Sequence, residues 1–172
     1  EDAFRPKYLD ESALETPSLA FGNAMREMLR MVDIVQEMLD KTLKVFQTDS
    51  KDLIEEVEAQ DDLVDLLDHE IKLYLTQLSR KELSGEQSAM ELQLITLTTN
   101  LEHIGDVIDK NLMELARKKQ RLALVFSKDG WSEIQNFHKK VSENFRLGVA
   151  CYTNRDVDLA HTVIRHKKRL TE

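Results

Sequence analysis

The chain has 172 residues and a net charge of −8, with five glycines, two prolines and a single cysteine. This acidic balance, without a concentrated basic stripe, argues against a nucleic-acid partner; one cysteine excludes an internal disulfide; and no apolar stretch approaches the roughly 18 residues of a membrane span. Because glycine and proline are scarce and Glu, Leu, Lys, Gln and Met are plentiful, the composition predicts an all-α fold. We expect a cytoplasmic chain that does not insert directly into a membrane.

Residues 1–18 form a predicted leader or linker, because they hold both prolines and show no sustained hydrophobic period. Ser18 is placed to cap the first helix, which we expect over about 19–47. The apolar residues of that helix recur mostly at spacings of three and four. They are Leu19, Ala24, Met28, Met31, Val35, Met38, Leu39, Leu43 and Phe46.

A second long helix is predicted to begin at Asp49 or Ser50, since either residue is a favourable N-cap. It is expected to stop near Ser84 and Gly85, a pair that breaks helices. The third helix then runs from position 86 or 87 to about Lys119, and a joint follows at 127–130. A fourth helix is predicted over about 131–153 and a fifth from about 156 to the end.

The apolar pattern repeats at an offset of 106 residues, on both sides of a similar break. The matched positions are Met31 and Phe137, Val35 and Val141, Leu39 and Phe145, Leu43 and Val149, Phe46 and Tyr152, Asp52 and Asp158, Leu53 and Leu159, and Val57 and Val163. The sequence therefore predicts one complete three-helix repeat, about 19–124, followed by two helices of a second repeat, 125–172. Because a two-helix hairpin cannot bury its whole apolar stripe, we expect it to lean on the first repeat, to pair with another chain in a homo-oligomer, or to belong to a longer natural sequence.

Two carboxylate pairs interrupt the apolar pattern of the second and third helices. Asp61 and Asp65 lie one turn apart in the second helix, and Glu102 and Asp106 lie one turn apart in the third. The helices are predicted to run antiparallel around a loop near position 85, so the two pairs face each other to within about one turn. Four convergent carboxylates repel one another unless a cation or protons neutralise them. Oxygen ligands suit Mg, Ca, Mn or Fe ions, so these four residues are the predicted metal ligands.

The alternative is that these acids belong to a solvated face, because the second helix carries acidic residues along much of its length. His69 and His103 suit exposed positions better than ligand positions, and the Glu-x-x-His spacing of di-iron bundles is absent around Glu102. That absence argues against an oxygen-activating di-iron enzyme. No Ser/His/Asp arrangement, glycine-rich phosphate loop or CxxC motif occurs, and Cys151 suits a small core position. We therefore expect no catalytic residues and no enzymatic activity.

The segment LEHIGDVIDKNL resembles the PhoU family, in which the corresponding motif reads roughly E-R-I-G-D. Glu102, Ile104, Gly105 and Asp106 match that motif, whereas His103 stands in place of the usual arginine. The earlier acidic motif of the family is similar to residues 61–71 of this chain. The matching residues are Asp61, Val64, Asp65, Leu67, Glu70 and Ile71. The resemblance implies tandem three-helix bundles whose acidic motifs can hold iron, zinc or other metals, in a regulator of phosphate uptake that is not an enzyme.

The segment RPKYLDESALETPSLAFGNAMREMLRM resembles the junction that follows the membrane half of bacterial sodium/phosphate cotransporters. Those proteins carry a C-terminal PhoU-like region in the cytosol, so the resemblance implies that residues 1–18 follow a membrane region. It also implies a regulatory domain of a sodium-dependent phosphate transporter, on the cytoplasmic side of the membrane, with the membrane domain of the transporter as its partner. A free-standing, metal-binding PhoU-like regulator of phosphate uptake is the alternative.

The second repeat departs from the family's metal-binding pattern. At the offset of 106 residues, Lys167 stands in place of Asp61 and Thr171 in place of Asp65. The paired metal sites of the family therefore do not carry over to the second repeat. The sequence supports at most one site, in the first repeat, for a divalent or iron ion.

Overall fold

Helices form all the regular secondary structure in the residues that the computed structural model describes, 4–154 and 160–165. The all-α prediction is therefore confirmed. The elements are a short 3-10 turn Glu11–Glu15, α1 Pro17–Thr48, α2 Lys51–Leu78, α3 Gly85–Asp106, a π-helical segment Val107–Met113, α4 Glu114–Arg121 and α5 Lys128–Asn154. Residues 160–165 are also helical, and the rest of the predicted fifth helix lies outside the described residues. None of the described helices combines the length and apolar character needed to cross a membrane.

A proline and a left-handed residue set the two ends of α1. Pro17 occupies the first turn, where its missing backbone N–H leaves no hydrogen bond unmade. Ser18 therefore lies inside the helix, and its predicted role as the cap is wrong. Asp49 ends the helix with a φ of 54°. Ser50 then caps α2, because its hydroxyl oxygen accepts a hydrogen bond from the Leu53 N–H at 3.3 Å.

The connection between α2 and α3 differs from the prediction at one end. α2 ends at Leu78, several residues before the predicted break. Ser84 and Gly85 instead begin α3: the Ser84 hydroxyl accepts from the Gln87 N–H at 3.2 Å, and the Gln87 side chain accepts from the Ser84 N–H at 2.9 Å. This reciprocal capping box satisfies two N–H groups at the helix start. The serine is thus a start signal for α3, after a loop over 79–84.

The core lies between α1, α2 and the continuous helix formed by α3, the π-helical segment and α4. Each of these elements contributes large apolar side chains that are fully buried. They are Met28, Met31, Met38, Leu67, Ile71, Leu75, Leu78, Leu94, Leu101, Ile108 and Met113. Burying one such side chain contributes about 1.5–3 kcal/mol. The first three-helix unit is therefore held together mainly by this shared apolar core.

α5 packs against α1 and brings the two predicted repeats into contact. The Gln36 amide donates to the Ser142 hydroxyl at 2.9 Å, and these two positions are separated by the repeat offset of 106 residues. His138 Nε2 lies 2.8 Å from the Leu39 carbonyl oxygen. Because an earlier residue of α5 contacts a later residue of α1, the two helices run antiparallel. Equivalent helices thus meet near equivalent positions, an arrangement typical of copies related by a two-fold axis; the assignment of 125–172 as a partial repeat stays a prediction.

One buried carboxylate holds the predicted leader against the bundle. Glu27 of α1 is fully buried, and its Oε2 atom accepts the backbone N–H groups of Lys7 and Tyr8, each at 2.7 Å. Arg30 donates to Glu27 Oε1 at 2.8 Å and to the Arg5 carbonyl oxygen at 2.8 Å. The direction in which the leader approaches α1 is therefore fixed by hydrogen bonds.

Candidate metal site

Three of the four predicted ligands meet where α2 packs against α3. One carboxylate oxygen from each of Asp61, Asp65 and Asp106 lies within 4.8 Å of the other two. Asp61 is buried, Asp106 is half-buried and Asp65 is exposed, so this carboxylate cluster extends from the helix interface to the surface. Glu102 is not part of this group; it is half-buried, and its Oε2 atom lies 3.5 Å from His103 Nε2. Its role as a ligand stays a prediction.

Gly105 explains how Asp61 fits into the helix interface. A Cβ atom at position 105 would lie 2.6 Å from Asp61 Oδ1 and 3.5 Å from Val64 Cγ1. Any larger residue there would displace the carboxylate or push the helices apart, because carbon and oxygen atoms resist so close an approach. The glycine therefore gives a carboxylate the space that a side chain would fill, and Asp61 is only 4% exposed.

The environment of Asp61 opposes its ionisation. Burial, followed by the negative charges of Asp65, Asp109 and Asp106, raises the pKa of Asp61 to about 7, and Lys110 offsets part of this effect. Burial, followed by the charge of Asp106, likewise raises the pKa of Asp65. The Asp61 Oδ1 atom has no hydrogen-bond partner among the described residues. A buried carboxylate of this kind is costly to ionise unless a cation neutralises it.

Lys110 supplies a positive charge at the open edge of the carboxylate cluster. Its ammonium group donates a hydrogen bond to Asp106 Oδ1, and this bond raises the pKa of Lys110. The lysine side chain is mostly exposed, so its ammonium group can move from Asp106 into solvent. The cluster thus has a displaceable cation at its edge, beside Asp106.

A second group of charges, which the sequence analysis did not identify, lies beside the cluster. Burial, followed by the charge of Glu58, raises the pKa of Asp109. Arg117 donates a hydrogen bond to Glu58 and offsets part of that charge. Asp109 belongs to the π-helical segment Val107–Met113, and such segments recur at functional sites. The available signal was spacing, because Asp109 follows Asp106 by three residues on the same row of the predicted helix.

Comparison with known proteins assigns the family. The model of the PhoU domain matches residues 28–116, which is more than half of the chain and includes the whole carboxylate cluster. The chain belongs to the PhoU domain family. No solved structure matches this PhoU domain.

The PhoU domain is also similar to curated bacterial proteins. The proteins named "Putative inorganic phosphate export protein YjbB" from Escherichia coli O157:H7 and from Escherichia coli strain K12 are each 34% identical to it over 165 residues. The protein of the same name from Salmonella typhimurium strain LT2 is 33% identical over 165 residues. Each comparison covers 96% of this chain and 30% of the relative. The chain therefore spans less than a third of the length of the curated relatives it matches.

The carboxylate cluster of this PhoU domain fits a metal ion. Its donor set consists of closely spaced carboxylate oxygens, which suit hard or oxygen-preferring ions. One of these residues has a buried oxygen with no hydrogen-bond partner in the described part of the chain. Asp61, Asp65 and Asp106 are the residues that would hold the ion. A bound ion would supply positive charge beyond that of Lys110, while the protein contributes ligands from both α2 and α3.

Proposed function

We propose that this PhoU domain is the metal-binding regulatory domain of a sodium-dependent phosphate transporter, acting on the cytoplasmic side of the membrane. The observation that carries the proposal is the cluster of Asp61, Asp65 and Asp106 at the interface of two core helices, within the region that matches the PhoU domain. The proposed role is binding and regulation, without catalysis.

The carboxylate cluster suits regulation because its occupancy alters the charge of a helix interface. When no metal ion is bound, Asp61 takes up a proton near neutral pH, because its pKa is raised to about 7. Residues of α2 and α3 that share a cation are held together, whereas the same carboxylates repel one another when ionised and uncompensated. The two forms of the bundle therefore differ in stability, which is the physical requirement for passing a signal to a partner.

The link to phosphate rests on the relatives and on the family. The relatives that match nearly the whole chain carry the name "Putative inorganic phosphate export protein YjbB". The link to sodium rests on the resemblance of the leader to a cotransporter junction. In the proposed arrangement the membrane domain precedes the leader, and Glu27 supports a firm connection because it binds the backbone of Lys7 and Tyr8.

The proposal is tested by measuring phosphate flux in cells that express the full-length protein. We expect Asp61→Asn combined with Asp106→Asn to change the rate of flux, or its dependence on phosphate, at an unchanged amount of protein in the membrane. Asp33→Asn, an exposed change on α1, is the control and should leave flux unaltered. Equal flux in wild type and double variant would contradict a regulatory role for the cluster. Unchanged flux after sodium is replaced by potassium would contradict the sodium link.

A free-standing, metal-binding regulator of phosphate uptake is the second candidate. The carboxylate cluster supports it equally, because the cluster needs no attached membrane domain. The sequence encoded upstream of Glu1 distinguishes the two candidates. A frame that encodes several apolar helices supports the transporter, and a frame that encodes none supports the free-standing regulator.

A further inference from the structure

The connection between α4 and α5 exposes a run of apolar side chains. Residues 122–126 read Leu-Ala-Leu-Val-Phe, and all five are exposed. Val125 is 90% exposed, and Leu122 and Leu124 each show more than half of their surface. Five consecutive exposed apolar residues are unusual on a protein surface, because removing apolar surface from water is favourable. We refer to residues 122–126 as the apolar loop.

Backbone hydrogen bonds hold the apolar loop in one conformation. The N–H groups of Leu122 and Leu124 donate to the carbonyl oxygens of Lys118 and Lys119 at 3.1 and 3.0 Å. Ala123 adopts a left-handed conformation with a φ of 49°, which is uncommon for a residue with a Cβ atom. The apolar side chains are therefore presented by a defined turn at the end of α4.

Aromatic contacts fix the far side of the apolar loop. The Phe126 ring stacks on Trp131, with centroids 5.7 Å apart, and lies 6.3 Å from the Phe46 ring. Phe126 thus joins the loop to the ends of α1 and α5. Trp131 is the only tryptophan of the sequence, so its fluorescence reports on this loop specifically.

Basic residues surround the apolar loop in a chain that is acidic as a whole. Residues 114–131 include five basic and two acidic side chains, whereas the whole chain has a net charge of −8. Lys119 pairs with Asp49 at 2.7 Å. Lys118, Arg121 and Lys128 are exposed and form no ion pair with the described residues. Positive side chains without an ion pair among the described residues therefore flank the loop, although the chain as a whole is acidic.

We propose that the apolar loop inserts into the headgroup region of a membrane that contains anionic lipids. Short apolar segments enter this interface, and neighbouring lysine and arginine side chains bind the acidic headgroups. A second copy of the chain is a poorer occupant, because a symmetric contact would place the two basic rims against each other. A five-residue loop cannot span a membrane, but it reaches the interface, and in this respect the proposal departs from the sequence-based expectation of no direct insertion.

The proposal goes beyond the proposed function, because it uses no residue of the carboxylate cluster. A metal-chelating buffer of low ionic strength therefore keeps the two separate, since bridging by divalent ions cannot occur. We expect the chain to bind vesicles of phosphatidylcholine mixed with phosphatidylglycerol, with a blue shift of Trp131 fluorescence and quenching by brominated lipid. Vesicles of phosphatidylcholine alone should bind at least about tenfold more weakly, and added salt should weaken binding.

Variants with one substitution each separate the apolar part from the basic part. Val125→Glu should abolish the blue shift and weaken vesicle binding at least about tenfold, because a charge at the tip does not enter the interface. Leu73→Glu makes the same change at an exposed site of α2 and should bind like the wild type. Lys118→Gln and Arg121→Gln should each weaken binding about fivefold. Circular dichroism checks that each variant keeps its helix content.

The outcomes either support or overturn the proposal. Binding that needs phosphatidylglycerol, shifts Trp131 and is lost in Val125→Glu but kept in Leu73→Glu supports it. Three results overturn it: no binding of the wild type to the mixed vesicles, equal binding by Val125→Glu and Leu73→Glu, or binding without any change in Trp131 fluorescence. Self-association that Val125→Glu removes, without vesicle binding, also overturns it and assigns the loop to a second copy of the chain.

Discussion

Asp61 occupies a position in α2 where an apolar side chain would ordinarily pack. It lies one turn from Val57 and three residues before Val64, both of which are fully buried. The missing side chain at Gly105 makes room for its carboxyl group against α3, and burial raises its pKa to about 7. Strongly raised pKa values of this kind cluster at functional sites. The role of Asp61 as a metal ligand stays a prediction, and the cost of ionising it at this position is the reason for testing it.

We predict that Asp61→Asn removes a pH-dependent destabilisation of the metal-free protein. The pKa of Asp61 is 3.8 ordinarily and about 7 in the folded chain, so the folded chain binds more protons between these values. The free energy of unfolding of the wild type therefore falls as the pH rises through this window, and the loss is complete above it. At about pH 8 the variant should be more stable by on the order of 2–4 kcal/mol, with little difference near pH 4.

Urea denaturation in a chelating buffer across this pH range measures the effect of Asp61→Asn. Asp33→Asn, at an exposed position of α1, is the matched control and should follow the wild-type pH dependence. If the free energy of unfolding changes with pH in the same way in the wild type and in Asp61→Asn, the pKa of Asp61 is not raised in the folded chain.

We predict that Gly105→Ala weakens metal binding without unfolding the bundle. The added Cβ atom would lie 2.6 Å from Asp61 Oδ1, so this ligand must move. Gly105 holds this ligand in place, and changing a residue that orients a metal ligand lowers metal affinity about 10- to 100-fold. The alanine itself favours the helix by about 1 kcal/mol relative to glycine. Gly22→Ala is the control, since its added Cβ atom would have no atom from another helix or loop of the described structure within 4 Å. Calorimetric titration with Mn²⁺ compares them, and equal affinities for both variants would rule out the proposed geometry.

The helices themselves were largely predictable, because apolar spacing reports which face of a helix is buried. The first predicted helix, 19–47, corresponds to α1, Pro17–Thr48. The fourth predicted helix, 131–153, corresponds to α5, Lys128–Asn154. The end of α2 and the start of α3 were less predictable. Ser84 bonds to Gln87 in the structure, and spacing alone does not show whether such a serine ends one helix or begins the next.

The candidate site was predictable to the extent that an ideal helix describes it. Spacings of four residues within each helix, with an antiparallel register around the loop near position 85, predicted that Asp61 and Asp65 face Glu102 and Asp106. The structure brings Asp61, Asp65 and Asp106 together. The π-helical segment Val107–Met113 changes the rise and rotation of the helix directly after this point. The helical period puts Asp109 on the same row as Asp106, but spacing alone does not show that the charge of Asp109 acts on Asp61. The apolar loop was missed for another reason: the short run of basic residues beside it is hidden in the composition of an acidic chain.

We predict that Glu27→Gln loosens the leader while leaving the core of the bundle folded. The carboxylate accepts hydrogen bonds from Lys7, Tyr8 and Arg30, and an amide cannot accept at both of its terminal atoms. The loss should cost about 1–3 kcal/mol of unfolding free energy and speed hydrogen exchange at the amides of residues 7 and 8. Glu37→Gln, an exposed change on the same helix, is the control. Unchanged exchange at these amides in Glu27→Gln would mean that the carboxylate does not hold the leader.

At the scale of the whole molecule, the two predicted repeats are covered to different degrees. Met31 of α1 is 0% exposed, whereas Phe137, its equivalent in α5, is 56% exposed. Val141 and Phe145 of α5 are half-buried against the core. Among the described residues, one part of the apolar stripe of α5 therefore packs against the first repeat, and another part is exposed to water.

We predict that the chain self-associates through the exposed stripe of α5. Burying an aromatic side chain such as Phe137 between two copies removes apolar surface from water and favours association. Phe137→Glu should weaken the association about tenfold or more, because a charge would then be buried in the contact. Phe4→Glu makes the same change at an exposed residue of the leader and should leave the association unchanged. Sedimentation equilibrium measures both, and a wild type that stays monomeric at high concentration would refute the prediction.

Metal binding should stabilise the whole molecule, because the ligands come from both α2 and α3 and exist as a cluster only in the folded chain. At a metal concentration of about 100 times the dissociation constant, binding contributes about 2.7 kcal/mol. For a chain of this length we therefore expect Mn²⁺ to raise the unfolding temperature by about 5–10 °C. Asp65→Asn with Asp106→Asn should abolish the shift, whereas Asp33→Asn should keep it. An equal shift in the double variant and the wild type, measured by calorimetry, would place the bound ion outside this cluster.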